Sequence, residues 1–556
     1  MKPSLRFRPR SLSLFKQYST EQLALNIGAG ITVAVVAIPL AMAFAIASGL
    51  SPQVGLITAI IGGFLVALLS GSNVQIGGPA GAFIVIVYGI VQESGVSGLM
   101  IATFLSGIFL ILLGIFKLGH LIRYIPLAVI LGFTNGIAVI IALQQLKEFA
   151  GLTIHGKVPA EFFSMLTTLY QALPSANPIA IMLALGTLTI LILWQQLNKH
   201  LRRDKNNHSI LKRLMTLTPA SIVALIIATS ISACLDLDVH TIGKQFGAIP
   251  QTLPAPSLPP LQGTSLRALL VPAVTLALLG AIESLLCARV ADTLIHDQHD
   301  SNQELLGQGI TNMIVPLFGG MPTTGTIART VTNVENGGRT PVAGMVHAFT
   351  LLLVVFVFAP LAQYIPLAVL AAILLFVAYN MGQWRAFKQM WQHSVSYRII
   401  LVGVFLLTVM VDLTVGVGFG ILYACATAIY QFSKLSVPEP FELRPDLTAP
   451  QVKAWHLTGA LFFGSFESLD IIRRDLPQQY LVLDFSGVVY VDASGLEVMQ
   501  QLCEQCRARQ LTILVYGLRA QPQEKLCKMA WLKQHPKTLQ IMPSLHQLSS
   551  FIASRV

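Results

Sequence analysis

Charged side chains are scarce in this sequence. Only 11% of the 556 residues are Asp, Glu, Lys or Arg, whereas 54% are hydrophobic, and the mean hydropathy is +0.69. A soluble domain carries about 25% charged residues, more than twice this share. The composition therefore excludes an ordinary soluble enzyme and predicts a polytopic α-helical membrane protein embedded in a lipid bilayer.

Signatures of catalysis and of cofactor binding are missing as well. The sequence has no P-loop, HExxH motif, catalytic-triad spacing or nucleotide fingerprint. Its six cysteines are scattered, so no disulfide framework is indicated. The CxxC pair of Cys503 and Cys506 has no second pair beside it, and its spacing on a helix favours packing over zinc binding. We therefore expect no enzyme activity, no cofactor and no bound metal.

Long apolar runs dominate the chain up to about residue 433. A membrane-spanning helix needs roughly 20 apolar residues, and some of the runs are too short to cross alone. The candidate segments lie approximately at 25–47, 53–70, 79–93, 97–116, 124–145, 178–196, 218–235, 266–292, 305–318, 323–334, 342–361, 364–380, 397–412 and 414–431. The sequence therefore predicts about 14 segments within a transmembrane domain at 23–433.

One hexapeptide occurs twice in this domain. Tyr124–Val129 reads Tyr-Ile-Pro-Leu-Ala-Val, and Tyr364–Val369 repeats it without a change. About seven segments separate the copies, an odd number, so the copies must enter the bilayer from opposite sides. Inverted repeats of this kind are typical of secondary transporters, in which two related halves move around a site near the midplane. The sequence predicts a 7+7 inverted repeat with halves at about 23–235 and 262–433.

The distribution of cations predicts the topology. The amino-terminal arm, residues 1–22, has five cations before its first acid. Cations are also frequent in three loops, at 117–123, 197–217 and 381–396, whereas the loops at 146–177 and 236–265 contain few. The positive-inside rule then places both termini in the cytoplasm and the protein in the cell inner membrane. The net charge of +11 reflects this anchoring, and no nucleic-acid partner is expected.

Two short segments, one in each half, combine glycine and proline in the manner of a helix start. Gly77–Ala82 reads GGPAGA and Gly319–Gly325 reads GGMPTTG. Each predicts extended backbone leading into a half-helix, which a membrane tolerates only where protein or a water-filled cavity covers it. The inverted symmetry should bring the two amino ends together, so that free N–H groups and helix dipoles converge on an anion. The alternative is that these glycines only allow close helix packing.

A set of candidate substrate-binding residues follows from this arrangement. In the first span, Pro39 predicts a kink that would place Phe44, five residues later, in the lining of a cavity. The alternative for Pro39 is an ordinary bend without ligand contact. The predicted substrate-binding residues are Pro39, Phe44, Gly78, Pro79, Ala80, Gly81, Thr323, Thr324, Gly325, Thr326, Ile327 and Arg329.

Two ionisable residues lie within apolar segments. Glu283 stands in the middle of a span, where an unpaired carboxylate is costly and usually functional, so we predict that it carries the coupled proton. Arg329 lies within about two turns of the second half-helix start and would add a fixed positive charge there. The alternative is that Glu283 and Arg329 pair with each other or with backbone, in which case the coupling residue is elsewhere.

The sequence changes character after residue 433. A proline-punctuated linker at 434–450 leads into a soluble α/β domain at 451–556, in which 480–485 and 511–516 read as strands around a helix at 495–509. Ser494 and Glu497 fit a capping box, with the Ser494 hydroxyl accepting from the helix backbone and Glu497 reaching back.

These residues together resemble the bacterial SulP (sulfate permease) family of anion transporters. In the membrane part the resemblance rests on motifs throughout the domain: Ile38-Pro39, Met42–Ala45, Gly77–Pro79, Asn302, Glu304-Leu305, Gly307–Gly309, Asn312, Phe318–Gly320 and Gly337–Thr340. It implies core and gate domains, a substrate between the third and tenth segments, and assembly as dimers. The soluble part resembles the STAS domain, whose Asp-x-Ser-Gly motif matches Asp492, Ser494 and Gly495. In STAS regulators the matching serine is phosphorylated, which implies a regulatory role for Ser494 and a cytoplasmic protein partner.

Within the family, the segment 280–288 and Ile327–Arg329 are most similar to the C4-dicarboxylate transporters of enteric bacteria. This similarity implies fumarate, succinate or aspartate as substrate. The sodium-coupled bicarbonate branch is also similar, but its sodium-site aspartate and threonine correspond here to Glu283 and Cys287, which favours proton coupling. Leu40 replaces a glutamine that many sulfate carriers have after the first-span proline.

The sequence thus predicts a secondary transporter that moves an anion with a proton by an elevator-like movement of the core domain. One alternative is a sulfate or bicarbonate transporter or exchanger, or an uncoupled anion channel. Another is a membrane sensor that binds the anion and signals through the STAS domain.

Overall fold

The structure, a computed structural model, contains two compact units, Met1–Ile421 and Leu422–Val556. It describes residues 7–12, 19–120, 126–154, 158–159, 161–203, 218–247, 251–258, 266–411, 413–434, 438–443, 451–463, 466–528 and 535–555. Within these ranges, nine helices are long and apolar enough to cross a membrane. Tyr124 and Ile125 of the first hexapeptide, most of the linker and the cation-rich stretch 204–217 lie outside the described residues.

The first half of the membrane unit supplies seven segments. They are formed by α1 (Thr20–Ala47), α2 (Pro52–Ile57) continued through a π-turn (Thr58–Gly62) into α3 (Gly63–Leu69), α4 (Ile84–Ile115), α5 (Leu127–Phe149), α7 (Pro178–Arg203) and α8 (Ala220–Cys234). The helix α4 counts as two segments, because Gly95 at φ 68° and ψ −174° breaks it. A further helix, α6 (Phe162–Ala172), lies in the predicted loop 146–177.

The second half repeats the pattern. Its segments are α10 (Leu266–Ile295), α11 (Ser301–Ile314) extended by a 3₁₀ turn (Val315–Phe318), α12 (Ile327–Glu335), α13 (Val342–Ala362), α14 (Leu367–Met381), α16 (Val395–Met410) and α17 (Leu413–Lys434). The short helix α9 (Ile242–Phe246) precedes α10, and the short helix α15 (Arg385–Gln389) lies between α14 and α16. Pro126 and Pro366, at matching places of the two hexapeptides, are the N-caps of α5 and α14. Proline is suited to this position because a helix start does not use its missing N–H group.

The spans form two groups. In the core group α1 packs against α13, and α4 packs against both α10 and α11. In the gate group α5 packs against α14 and α16, and α7 packs against α8 and α14. Small residues permit close contact in the core group: a Cβ atom on Gly107 of α4 would lie 2.6 Å from the Gly309 carbonyl oxygen of α11.

The second unit contains a sheet of β3 (Glu439–Pro440), β4 (Val452–Leu461), β5 (Tyr480–Val491), β6 (Thr512–Tyr516) and β7 (Leu539–Ile541), in that spatial order. The strands β4 to β7 are parallel, and β3 is antiparallel. The helices are α18 (Phe466–Arg474), α19 (Ala493–Ala508), α20 (Ala520–Cys527) and α21 (Leu545–Ala553). Cys503 and Cys506 are buried in the apolar core of this unit, which confirms their predicted packing role.

The helix cap of α19 differs from the sequence prediction. The helix begins at Ala493, and the side chain of Asp492 accepts a hydrogen bond from the Gly495 N–H at 2.7 Å. Ser494 is therefore the second residue inside the helix, and the predicted capping box that used Ser494 is wrong. Asp492 takes the cap because its extended backbone points its carboxylate at the first turn.

A polar row crosses the middle of this sheet. His456, Asp484 and Tyr516 are in register on adjacent strands, and the His456 Nδ1 atom lies 2.7 Å from the Asp484 Oδ2 atom. The Ser486 N–H donates to Asp484 Oδ1 at 2.8 Å. Burial alone would raise the pKa of Asp484, but hydrogen bonds from Ser486, His456 and Tyr516 outweigh it and lower that pKa. Burial, together with the charge of Asp484, raises the pKa of Tyr516.

Candidate functional site

The two glycine-rich segments meet in the middle of the membrane unit. The strand β1 (Gly77–Gly78) pairs antiparallel with β2 (Thr324–Gly325), so that Gly77 faces Gly325 and Gly78 faces Thr324. The Thr326 N–H and hydroxyl both donate to the Ile76 carbonyl, at 2.9 and 3.0 Å. The place where β1 pairs with β2 is called the crossing. Its backbone is buried in protein, as irregular structure at membrane depth requires. The meeting of the two segments is the arrangement that the inverted repeat predicts.

A helix begins directly after each strand. Ala80 has extended backbone and leads through a 3₁₀ turn (Gly81–Phe83) into α4, and Thr326 has extended backbone and leads into α12. Neither of these two described N-cap residues bonds the first turn of its helix through its side chain. At the first helix start, the Phe83 and Ile84 N–H groups donate to the Ala80 and Gly81 carbonyls. The N–H groups that an anion could use are therefore those of Gly81 and Ala82 at this start and those of the first turn of α12 at the other.

Arg329 brings a positive charge to the crossing. Its side chain is 1% exposed, and its Nη2 atom donates to the Pro79 carbonyl oxygen at 3.4 Å. This bond joins the second half-helix to the lead of the first, where the leads are the extended segments 77–80 and 323–326 before the two helix starts. Its Nη1 atom is buried and has no hydrogen-bond partner among the described residues. A Cβ atom on Gly78, which has φ +153°, would lie 2.3 Å from this Nη1 atom. The guanidinium group thus fills the space that the missing side chain of Gly78 leaves.

Phe44 of α1 reaches the first half-helix. A Cβ atom on Gly81 would lie 3.6 Å from Phe44 Cε1, 3.5 Å from Ile141 Cδ1 and 3.7 Å from Met381 Sδ. Ile141 and Met381 belong to the gate helices α5 and α14, so Gly81 lies where the core and gate groups meet. Pro39 is buried five residues before Phe44 in the same helix. Ile327 is 40% exposed, whereas Thr323, Thr324 and Thr326 are buried.

The helix α10 passes the crossing one turn before Glu283. The Thr324 hydroxyl donates to the Gly280 carbonyl oxygen at 3.1 Å, and a Cβ atom on Gly280 would lie 3.3 Å from the Phe83 ring. Glu283 itself has a buried Oε2 atom without a hydrogen-bond partner within the described part of the chain. Neither Glu283 nor Arg329 forms an ion pair among those residues, so the alternative in which the two pair with each other is not observed. The other alternative is met in part, because Arg329 bonds the Pro79 carbonyl.

Three polar side chains of α11 support the crossing and were missed as site residues. Glu304, Gln308 and Asn312 are buried. Gln308 and Asn312 bond Thr323, which directly precedes β2, whereas Glu304 bonds Ser70, Gly71 and Ser284. The three α11 residues follow one another at intervals of four residues, which places them on one helix face. That spacing was the available signal, because polar residues on one face of a membrane helix point to a protein interior or cavity.

Comparisons with known proteins agree with this geometry. The family model described as the sulfate permease family matches residues 23–403, which is more than half of the chain. The protein belongs to the sulfate permease family. The model of the STAS domain matches residues 447–547, so the α/β unit of this family member is a STAS domain.

Relatives of this sulfate permease family member match it over nearly its whole length. YvdB of Bacillus subtilis (strain 168), named provisionally as a sulfate transporter, is 39% identical over 92% of this chain and 95% of its own. The bicarbonate transporter BicA of Picosynechococcus sp. is 31% identical over 92% of this chain and 91% of its own. The structure of the murine anion transporter Slc26a9 in the inward-facing state has the same fold, with a TM-score of 0.85, 20% identity and coverage of 100% of this chain and 96% of its own.

Membership of this family makes the protein a multi-pass anion transporter and not an enzyme. The helical fold of two inverted halves followed by a STAS domain agrees with the solved relative. The more detailed similarity to C4-dicarboxylate transporters is not shown by these comparisons.

Proposed function

We propose that this protein is a secondary active transporter that carries a small oxyanion together with a proton. Transport proceeds by an elevator-like movement of the core group of helices against the gate group. The observation that carries the proposal is the pairing of β1 with β2, because it brings two uncapped helix starts and the buried guanidinium group of Arg329 to one place.

The substrate anion binds between the two helix starts. The backbone of Gly78–Gly81 approaches it from one half, and the backbone of Thr323–Ile327 approaches it from the other. Helix N-termini attract negative charge through their free N–H groups and their dipoles. The unpartnered Nη1 atom of Arg329 adds a donor and a full positive charge. Phe44 covers the site from α1, and Pro39 shapes the helix that carries it.

Glu283 couples the proton to this movement. An ionised carboxylate without a charged partner is costly inside a membrane protein. When Glu283 binds a proton while the anion occupies the site, the loaded core carries one negative charge fewer across the bilayer. The position of Glu283 one turn beyond Gly280 supports this role, because the Gly280 carbonyl oxygen accepts from Thr324 and Gly280 lies beside the Phe83 ring.

Two substrate classes are candidates for this site. The similarity of the 280–288 and 327–329 segments to C4-dicarboxylate transporters favours fumarate, succinate or aspartate. The names of YvdB and BicA favour sulfate or bicarbonate instead. All of these are oxyanions, which two convergent N–H clusters and one guanidinium group can bind.

We further propose a homodimer in the cell inner membrane with both termini in the cytoplasm. The positive-inside pattern supports the orientation. The STAS domain would then meet cytoplasmic proteins, and Ser494 at the first turn of α19 is the proposed site of modification.

The proposal is tested by uptake into proteoliposomes. Labelled fumarate, sulfate and bicarbonate are each supplied with and without an inward proton gradient, with sodium varied separately. Proton-driven accumulation of one of the three anions supports the proposal and identifies the substrate class. Flux that ignores the proton gradient would refute proton coupling and favour an exchanger or a channel.

Glu283→Gln tests the coupling residue in the same assay. We expect the dependence of uptake on external pH to disappear while binding of the anion remains measurable, because the amide cannot take up a proton. Glu93→Gln, the same change at an exposed carboxylate of α4, is the control and should keep the pH dependence. Unchanged pH dependence in Glu283→Gln would refute the role of Glu283.

The rival function is a membrane sensor in which the anion signals through the STAS domain. Deletion of residues 437–556 separates the two, because a transporter should retain some flux whereas a sensor should lose its effect on its partner.

A further inference from the structure

The helix α11 presents a face of three polar side chains to the half-helix crossing. Glu304, Gln308 and Asn312 are 0%, 1% and 1% exposed. Their spacing of four residues places them one above the other on the helix. The structure shows which backbone each of them holds.

Glu304 is a buried carboxylate that accepts from three donors. Its Oε2 atom accepts from the Ser70 hydroxyl and from the Gly71 N–H at 3.1 Å, and its Oε1 atom accepts from the Ser284 hydroxyl at 2.7 Å. Ser70 and Gly71 follow the end of α3, and Ser284 belongs to α10. Glu304 therefore joins α11 to the end of α3 and to α10.

Ser284 passes this connection to the crossing. The Gln75 side-chain amide donates to the Ser284 hydroxyl at 2.8 Å. Gln75 lies two residues before β1, and a Cβ atom on Gly325 of β2 would lie 1.5 Å from its Nε2 atom. The chain of contacts thus runs from Glu304 through Ser284 and Gln75 to the point where β1 faces β2.

Gln308 and Asn312 hold the other lead. The Asn312 side chain bonds both sides of one residue, because its Oδ1 atom accepts from the Thr323 N–H at 2.8 Å and its Nδ2 atom donates to the Thr323 carbonyl at 3.1 Å. The Gln308 amide donates to the same carbonyl. Thr323 immediately precedes β2, so one face of α11 fixes both half-helix leads.

We propose that Glu304 is the principal positioning residue of the anion site and that, with Gln308 and Asn312, it sets the register of β1 against β2. This inference rests on the proposed function of the crossing as the anion site. Gln308 and Asn312 bond the second lead directly, and Glu304 reaches the first lead through Ser284 and Gln75. In the described part of the chain none of the three bonds a first-turn N–H group, so they act on the anion through the backbone that they hold.

The chemistry of Glu304 makes its carboxylate hard to replace. Three donors point at its two oxygens, and the Gly71 N–H cannot reverse its direction as a hydroxyl can. Glutamine at this position has nearly the same shape but only one acceptor oxygen. In one orientation the NH₂ group of the glutamine would face the Gly71 N–H, which is also a donor. In the other it would face the Ser284 hydroxyl, which would have to turn and accept instead of donating.

The test is Glu304→Gln in the full-length protein. Equilibrium binding of fumarate, sulfate and bicarbonate to the purified protein is compared with uptake kinetics, and Glu93→Gln is the matched control at an exposed carboxylate. We expect the Kd and the KM of the bound anion to rise by about tenfold or more, as loss of a charge-assisted hydrogen-bond network predicts. The pH dependence of uptake should stay as in the unsubstituted protein.

Two results would overturn the inference. A Kd unchanged within about twofold would show that Glu304 does not position the site. Loss of the pH dependence would show that Glu304 carries the proton itself. If Glu304→Gln does not fold, Ser284→Ala replaces it, because this variant keeps the carboxylate and removes one of its donors; it should raise Kd by a smaller factor, and an unchanged Kd would again refute the inference.

The outcome is separable from that of the proposed function. Binding measurements need no proton gradient, so Glu304→Gln is informative even if uptake proves to be exchange. Conversely, proton-driven uptake by the unsubstituted protein would stand if the variant bound its anion normally.

Discussion

Gly78→Ala should weaken anion binding strongly while leaving the protein folded. Gly78 has φ +153°, a conformation that residues with a side chain rarely adopt. The added methyl group would also lie 2.3 Å from Arg329 Nη1, whereas ordinary contact needs more than 3.4 Å, so the guanidinium group must retreat by about 1 Å. Arg329 is 1% exposed and has little room for this movement.

The size of the effect on anion binding is worked from the backbone strain at residue 78. A residue forced into a sparsely populated backbone region costs of order 1–3 kcal/mol. If β1 relieves the strain by shifting, binding of the anion must restore the strained geometry at the same cost in free energy. This corresponds to a rise in Kd of about 5- to 150-fold. Binding to the purified protein and the KM for uptake by proteoliposomes should rise together.

Gly89→Ala is the matched control for this experiment. Gly89 lies in α4, and a Cβ atom there would have no heavy atom within 4 Å. Alanine favours helix over glycine by about 1 kcal/mol, so this variant should bind and transport like the unsubstituted protein. Equal Kd values for Gly78→Ala and Gly89→Ala would refute the assignment of the β1–β2 crossing as the anion site.

Two further predictions concern the STAS domain of the full-length protein and are measured by hydrogen exchange. Asp484→Asn should increase exchange in β5 at pH 7. Because the folded-state pKa of Asp484 is lowered, the stabilisation of the domain by its carboxylate is complete above about pH 4 and is lost as the pH falls below that value. The difference in exchange between the variant and the unsubstituted protein should therefore shrink at acidic pH. A difference that stays constant from neutral to acidic pH would contradict this explanation. Asp492→Ala should destabilise the start of α19 by about 1 kcal/mol, whereas Ser494→Ala should have little effect. The reverse order of the two variants would restore Ser494 as the cap.

The sequence predicted the spans and the crossing because both depend on local patterns. The length of the apolar runs indicates the spans. The glycine and proline residues of Gly77–Ala82 and Gly319–Gly325 indicate extended backbone that leads into a helix start. The duplicated hexapeptide supplied the inversion, from which the meeting of the two segments follows.

The supporting contacts could not be predicted in the same way. Glu304 lies more than 230 residues from Ser70 and Gly71, which it bonds, so only the folded chain shows what it holds. The cap of α19 failed for a local reason: Asp492 and Ser494 both suit an N-cap, and the choice depends on where the strand β5 releases the chain. The helix α6 in the predicted outer loop was missed because its 11 residues are too few to read as a span.

The pairing of β1 with β2 has a consequence for biosynthesis. Thr326 bonds Ile76 across 250 residues of sequence, so the ribosome must add about 250 residues before the first lead can find its partner. At about 5–20 residues per second, this wait lasts about 12–50 seconds. Throughout it the backbone of Gly77–Gly78 lacks its pairing partner inside the bilayer, where unpaired N–H and C=O groups cost several kcal/mol each. A substitution in β2 should therefore disturb the first lead as well, although the two are about 250 residues apart in the sequence.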